Sequence, residues 1–165
     1  MKRMFKLPNR LMTVAGLIEN GASVIDVGTD HGLLPVHLAL IGQANRIIAS
    51  DMSAGSLMAA ERTAAKYGMA DRIQLLVAPG LTGINENDAD TIVIAGVGGE
   101  TMIEIFEESP WFKNGKRLIL QPQTKKEELL DFLSESGCEI LDIKHTADRG
   151  RTYIVILAEG KQCQQ

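Results

Sequence analysis

Near-continuous apolar runs recur along the chain at residues 24–26, 47–51, 73–78, 91–95 and 118–121. Such runs, without a polar residue at every second position, mark strands buried on both faces of a parallel sheet. Helical periodicity fills the intervals. Ser53 is placed to cap a helix running to Tyr67, with Leu57, Ala60, Ala64 and Tyr67 on one face and Gly68 as its stop. Thr124 likewise stands in the capping place before a second helix over residues 125–136, where Leu129, Phe132 and Leu133 form the apolar face and Gly137 ends it. Residues 9–19 read as a further helix packed on the sheet. The chain then changes character: 139–144 and 152–159 are β-type runs joined by the polar stretch 145–150, which is of hairpin rather than crossover length. The pattern predicts an α/β fold, with a seven-stranded mostly parallel sheet, an antiparallel last strand and right-handed crossovers.

Composition narrows this to a single domain. At 165 residues and 45% hydrophobic, the chain can bury one good core but not two of ordinary size. No apolar run is long enough to span a bilayer, and the amino terminus lacks the apolar segment of a secretory signal, so a cytoplasmic location and no membrane partner are expected. Two cysteines, Cys138 and Cys163, supply neither a metal cluster nor a disulfide framework, and no metal is expected.

The chemistry gathers at strand ends. The first strand runs into Asp26-Val27-Gly28-Thr29-Asp30-His31-Gly32 and then a helix, and the second strand ends on Asp51, nineteen residues past Gly32. That is the spacing of a nucleotide-binding crossover unit. Gly28 and Gly32 let the backbone turn sharply beside a ligand, and the free amides opening the helix attract anionic oxygens. Asp51 is suited to accept hydrogen bonds from both hydroxyls of a ribose. No Gly-Lys-Ser or Gly-Lys-Thr follows, which argues against a P-loop. The dinucleotide fingerprint also fails, because Asp30 stands where its second glycine should admit a pyrophosphate. An aspartate there suits a cationic ligand, and the ammonium and sulfonium of S-adenosylmethionine meet that requirement better than NAD.

These motifs resemble the bacterial TrmK family. The likeness rests on Asp26 to His31, on Ile94-Ala95-Gly96-Val97-Gly98-Gly99 and on Arg117-Leu118-Ile119-Leu120-Gln121-Pro122, in order and with similar spacing, and runs from about Leu7 to Glu159. The resemblance implies a class I methyltransferase fold, a Rossmann-like three-layer sandwich. It also implies S-adenosylmethionine as cofactor, and methylation of N1 of adenine 22 in tRNA. Carried onto this chain, Asp26, Gly28, Thr29, Gly32, Asp51, Met52, Pro79, Gly80, Ala95 and Gly96 are expected to hold the cofactor. Gly98, Gly99, Gln121, Pro122 and Arg10 are expected on the substrate side. Asp30 is expected to accept a proton or steady the developing cation, with His31 second. Two features depart from the family. Its acidic turn after the third strand is here Ala78-Pro79-Gly80-Leu81, and its carboxyl-terminal helical coiled-coil domain, thought to help hold tRNA, has no counterpart in residues 1–165.

Plainer readings stand beside these. Asp30 can simply cap the helix after Gly32, Asp51 can be a solvated strand end, the three glycines at 96, 98 and 99 a tight turn, and Pro122 a strand terminator. His37 and His145 fit packing and loop positions. A net charge of −4 gives no basic surplus for RNA. Basic residues do cluster at Lys2, Arg3, Lys6 and Arg10, which could border the cofactor edge and dock RNA, and at Lys113, Lys116, Arg117, Lys125 and Lys126 around the fifth strand. A cofactor-binding module without catalysis remains an alternative. An NAD-linked oxidoreductase is a further one, opposed by Asp30 and by the lack of a Tyr-x-x-x-Lys pair.

Overall fold

The computed structural model describes residues 5–162; Lys2, Arg3 and Cys163 lie outside them. The strands are β1 (Ala22–Val27), β2 (Ala44–Asp51), β3 (Gln74–Val77), β4 (Thr91–Val97), β5 (Arg117–Pro122), β6 (Glu139–Asp148) and β7 (Arg151–Glu159). They form one sheet in the order β3-β2-β1-β4-β5-β7-β6. β1 to β5 run parallel, and β7 pairs antiparallel with both β5 and β6. The strand order reverses at β1, between β2 and β4. Loops leaving the carboxyl ends of these strands diverge there and leave a crevice.

Helices α1 (Asn9–Gly16), α2 (Leu33–Leu40) and α3 (Ala54–Lys66) cover one face, and α4 (Gly99–Glu108) and α5 (Lys126–Glu135) the other. The first layer packs Val14, Leu34 and Leu38 against Val24, Ala49 and Val93. The second packs Met102, Phe106, Leu129 and Leu133 against Ile25, Ile92 and Leu120, with Phe106 and Phe112 stacked at 4.4 Å between ring centres. Successive strand residues point to opposite layers, so each central strand has to be apolar throughout.

Four expectations need correction. β3 is not fully buried: Gln74 and Val77 are exposed and Leu75 and Leu76 half-buried, because β3 is an edge strand paired only with β2. The stretch 145–150 is not a loop. β6 continues to Asp148 and β7 starts at Arg151, leaving a turn of Arg149 and Gly150 with φ of 49° and 77°, the left-handed pair of a tight hairpin. The polar residues hid this strand because β6 is the other edge of the sheet and is mostly exposed. Residues 9–19 stop being helical at Gly16, where Leu17 and Ile18 donate to Val14 and Ala15 in a tightened last turn. Thr124 does not cap α5. Its carbonyl accepts from the Gly99 amide, and Lys125, at φ 56°, holds the cap position without a side-chain bond. Ser53 caps α3 as expected, its hydroxyl accepting from the Ser56 amide at 3.3 Å. Gly32, at φ 70°, caps α2 with no side-chain bond, so Asp30 is not a helix cap.

Candidate active site

The turn after β1 is tied to β2 by its backbone. The amides of Gly28 and Thr29 both donate to the Ser50 carbonyl at 2.9 Å. Asp51 is then gripped from two sides: Oδ2 accepts from the Asp30 amide at 3.1 Å and Oδ1 from the Ser53 amide at 3.0 Å. Two backbone donors fix the plane of this half-buried carboxylate and leave its remaining lone pairs facing outward. Asp30 reaches this position only with left-handed backbone, φ 56°, a conformation aspartate tolerates better than most residues.

Asp26 lies deeper, 5% exposed, and accepts from the Thr29 hydroxyl at 2.8 Å. Burial pushes its carboxyl up to about 7. The Thr29 hydrogen bond opposes that shift, the Asp51 charge adds to it and the Arg10 charge opposes it. Arg10 reaches in from α1, its Nη1 4.0 Å from where a side chain on Gly96 would begin.

These groups line a cavity of about 400 Å³ at the carboxyl edge of β1, β2 and β4. Asp26, Gly28, Thr29, Asp30, His31, Asp51 and Met52 form one wall, and Gly80, Ala95, Gly96 and Arg10 lie around the rest. Gly28, at φ 72°, has no atom within 4 Å of where its Cβ would stand, so the space beside it is open. Asp30 and His31 sit at the exposed mouth, 3.9 Å apart.

Six expected site residues do not line this cavity. A Cβ on Gly32 would stand 2.8 Å from Ala60 Cβ, so that glycine lets α3 approach α2. On Gly98 it would meet the Thr124 hydroxyl at 2.7 Å, and on Gly99 the Lys125 carbonyl at 2.5 Å; both glycines seat α4 against the start of α5 and leave no room there for a planar base. Pro79 is exposed and outside the lining, though Gly80 beside it lines the cavity. Gln121 is wholly buried, its Nε2 donating to the Pro122 carbonyl at 3.3 Å while its Oε1 has no partner among the described residues. Pro122 borders a neighbouring groove.

Other lining residues escaped the sequence reading. Ala78 contributes from the end of β3, Thr101 and Ile105 from α4, Leu33 and Leu34 from the opening of α2, and Gln123 from the end of β5. The same carboxyl-edge rule that picked out Gln121 would have found Gln123 one pleat later, whereas Ile105 reads only as a helix's apolar position. The basic cluster around the fifth strand is divided by the strand itself. Lys116 and Arg117 lie at its amino end, bonded to the carbonyls of Glu86 and Leu17, whereas Lys125 and Lys126 lie beyond its carboxyl end. Among the described residues no group of His, Cys, Asp or Glu is arranged to hold a metal, and no helix is long and apolar enough to cross a membrane.

Known proteins resemble this chain in sequence and fold. The family described as "Methyltransferase domain" matches residues 7–156. The tRNA (adenine(22)-N(1))-methyltransferase of Bacillus subtilis is 36% identical over 156 residues, covering 94% of this chain and 66% of that protein. The crystal structure of the B. subtilis M1A22 tRNA methyltransferase TrmK superposes with a TM-score of 0.90 at 34% identity, over 96% of this chain and 68% of that one. A Streptococcus pneumoniae chain solved in complex with S-adenosyl-L-methionine superposes at 0.87 and 33% identity, over 94% and 74%. This chain thus spans about two thirds of the length of the B. subtilis protein. By sequence identity, coverage and superposition alike, the chain belongs to the TrmK family of methyltransferases.

Proposed function

We propose that this chain, acting through a single cofactor-binding domain, transfers a methyl group from S-adenosylmethionine to N1 of adenine 22 in tRNA, in the cytoplasm where that substrate resides. The observation that carries the reading is the doubly anchored Asp51 carboxylate opposite the bare Gly28. It is a pre-oriented acceptor pair beside open space, the form a ribose diol requires. The rest of the cavity fits the same ligand. Asp26, Asp30 and Asp51 make the wall acidic, which complements a ligand bearing an ammonium and a sulfonium. Ala78, Gly80 and Ile105 give the cavity an apolar margin on which a flat ring can lie. No acidic side chain stands after β3 to meet an adenine amine, so backbone groups beside Gly80 take that part.

When bound, S-adenosylmethionine supplies an electrophilic methyl group. The protein's share is position and charge. Asp51 fixes the ribose, and Asp26 with the Thr29 hydroxyl faces the amino-acid end. Arg10 and Gln123 border the side from which a nucleobase enters. Methylation at N1 uses that nitrogen's lone pair and leaves the base cationic until a proton departs from its exocyclic amine. Asp30 accepts the hydrogen bond from that amine, steadies the positive charge and passes the proton to water, which reaches its exposed carboxylate. His31 beside it is the second acceptor.

Calorimetric titration with S-adenosylhomocysteine, with NAD as a control, followed by methyl transfer to unmodified tRNA, tests the reading. Binding with transfer mapped to N1 of adenine 22 is the expected result. Binding without transfer to any tRNA would identify a cofactor-binding module, and NAD binding alone an oxidoreductase.

A further inference from the structure

A second groove of about 570 Å³ adjoins the first, and Gln123 lines both. One bank is the segment from β5 into α5, carrying Thr124, Lys125 and Lys126; the other is the start of β7, carrying Arg151, Thr152 and Tyr153. The antiparallel pairing sets this geometry. Leu120 of β5 lies opposite Ile156 of β7, so β7 begins well past the end of β5 and overhangs the edge where the cavity opens. Asn9 fixes the overhang by donating to the Ala147 carbonyl at 3.2 Å, which links the hairpin to the helix that carries Arg10.

The groove is locally basic although the chain as a whole is acidic. The chain carries −4 in all, yet Lys125, Lys126 and Arg151 converge on this groove against one acidic residue, Glu127. Arg46, Arg117 and Lys144 elsewhere are paired with Asp88, Glu19 and Asp142. The three groove cations form no ion pair among the described residues, and all three are exposed. Tyr153, half-buried between them, presents a ring that no other aromatic side chain stacks on among the described residues. Unpaired cations flanking an aromatic face are the combination that binds single-stranded nucleic acid, with phosphates on the cations and a base on the ring.

Building on the methyl-transfer reading, we propose that this groove holds the single-stranded RNA next to the target adenine. Backbone phosphates lie on Lys125, Lys126 and Arg151, a neighbouring base stacks on Tyr153, and the strand passes Gln123 to deliver the target base to the cofactor. This route explains how an acidic protein gathers a polyanion: cations are concentrated on a groove that leads to the reacting atoms. None of the four contact residues lines the cofactor cavity, so the groove can be weakened without touching that cavity.

The test compares the wild-type protein with a K125E/K126E/R151E variant, with Tyr153→Ala, and with Arg72→Glu as a control beside the amino end of β3. Four quantities are measured: helical content by circular dichroism, S-adenosylhomocysteine affinity, tRNA affinity against salt, and kcat/KM for methyl transfer. Expected for the triple variant is unchanged folding and cofactor affinity, with tRNA binding weaker by a factor on the order of 100 and a log–log salt slope reduced by about two. Tyr153→Ala should lose about tenfold in tRNA affinity with the salt slope kept, and Arg72→Glu should change nothing. A triple variant that binds and methylates tRNA like the wild type would overturn the groove while leaving the activity standing. A wild-type protein that binds cofactor but neither binds nor methylates any tRNA would overturn both.

Discussion

The backbone amide of Asp30 donates to the side chain of Asp51 across 3.1 Å, joining the turn after β1 to the end of β2. Asp30 contributes only its main chain to this bond, and its exposed side chain stands beside His31 at the cavity mouth.

Asp51→Ala removes the acceptor for both the Asp30 and Ser53 amides together with the proposed ribose contact. Hydrogen bonds to a charged group are worth about 1.5–3 kcal/mol each, so affinity for S-adenosylhomocysteine should fall by a factor on the order of 100. Asp51→Asn keeps one acceptor oxygen and should lose less. Calorimetry on both variants checks the order, and equal affinity in Asp51→Ala and wild type would show that the ligand does not use this carboxylate.

The two glycines of the first turn should respond in opposite ways. Gly28→Ala places a methyl group in the open cavity, costs about 1 kcal/mol of backbone strain and should lower cofactor affinity more than stability. Gly32→Ala drives its Cβ to 2.8 Å from Ala60 Cβ and 3.0 Å from Ala60 Cα. A helix backbone cannot yield as a flexible side chain does, so overpacking and left-handed strain together should cost about 2–4 kcal/mol. Thermal melts paired with cofactor titrations separate the two cases.

Those glycines also mark how far the sequence could be read. Near-continuous apolar runs revealed the central strands because burial on both faces leaves no alternative composition. The edge strands β3 and β6 were misjudged since exposure removes that constraint. Of the residues that line the cavity, Asp26, Asp51 and Gly28 carried a local signature. Gly32, Gly98 and Gly99 share that signature, yet they serve contacts with Ala60, Thr124 and Lys125 that only the folded chain brings near. Ile105 and Gln123 enter the cavity through the packing of α4 and the exit of β5, which no spacing encodes.

Asp26 makes stability depend on pH. Its carboxyl is raised from 3.8 to about 7 by burial, so the folded state holds a proton that the unfolded chain releases. The linked stability is fully present below about 3.8, declines as pH rises, and is lost above about 7. Asp26→Asn cannot ionise and lacks this decline. The stability of the variant relative to wild type should therefore improve steadily from pH 5 to pH 7 and level off beyond, by up to a few kcal/mol. Denaturant titrations of both proteins across that range measure it, and a constant difference would mean that Asp26 ionises in the folded protein as readily as in the unfolded chain.

Asp30 offers the sharpest separation of binding from chemistry. Its bond to Asp51 comes from the main chain, so Asp30→Asn preserves the anchor, and asparagine accepts the φ of 56° as readily as aspartate does. Fold, stability and S-adenosylhomocysteine affinity should stay close to wild type. What disappears is the negative charge proposed to face the cationic methylated base and to accept its proton. General-base and charge contributions of this kind span 10²–10⁴, and at an exposed position the lower end applies, so kcat for methyl transfer should fall by about 10². Asp30→Ala should lose as much in kcat and in addition pay about 1 kcal/mol for the left-handed backbone. His31→Ala is the internal comparison: if it costs more kcat than Asp30→Asn, the proton leaves by way of the imidazole, and Asp30 serves only to hold the turn.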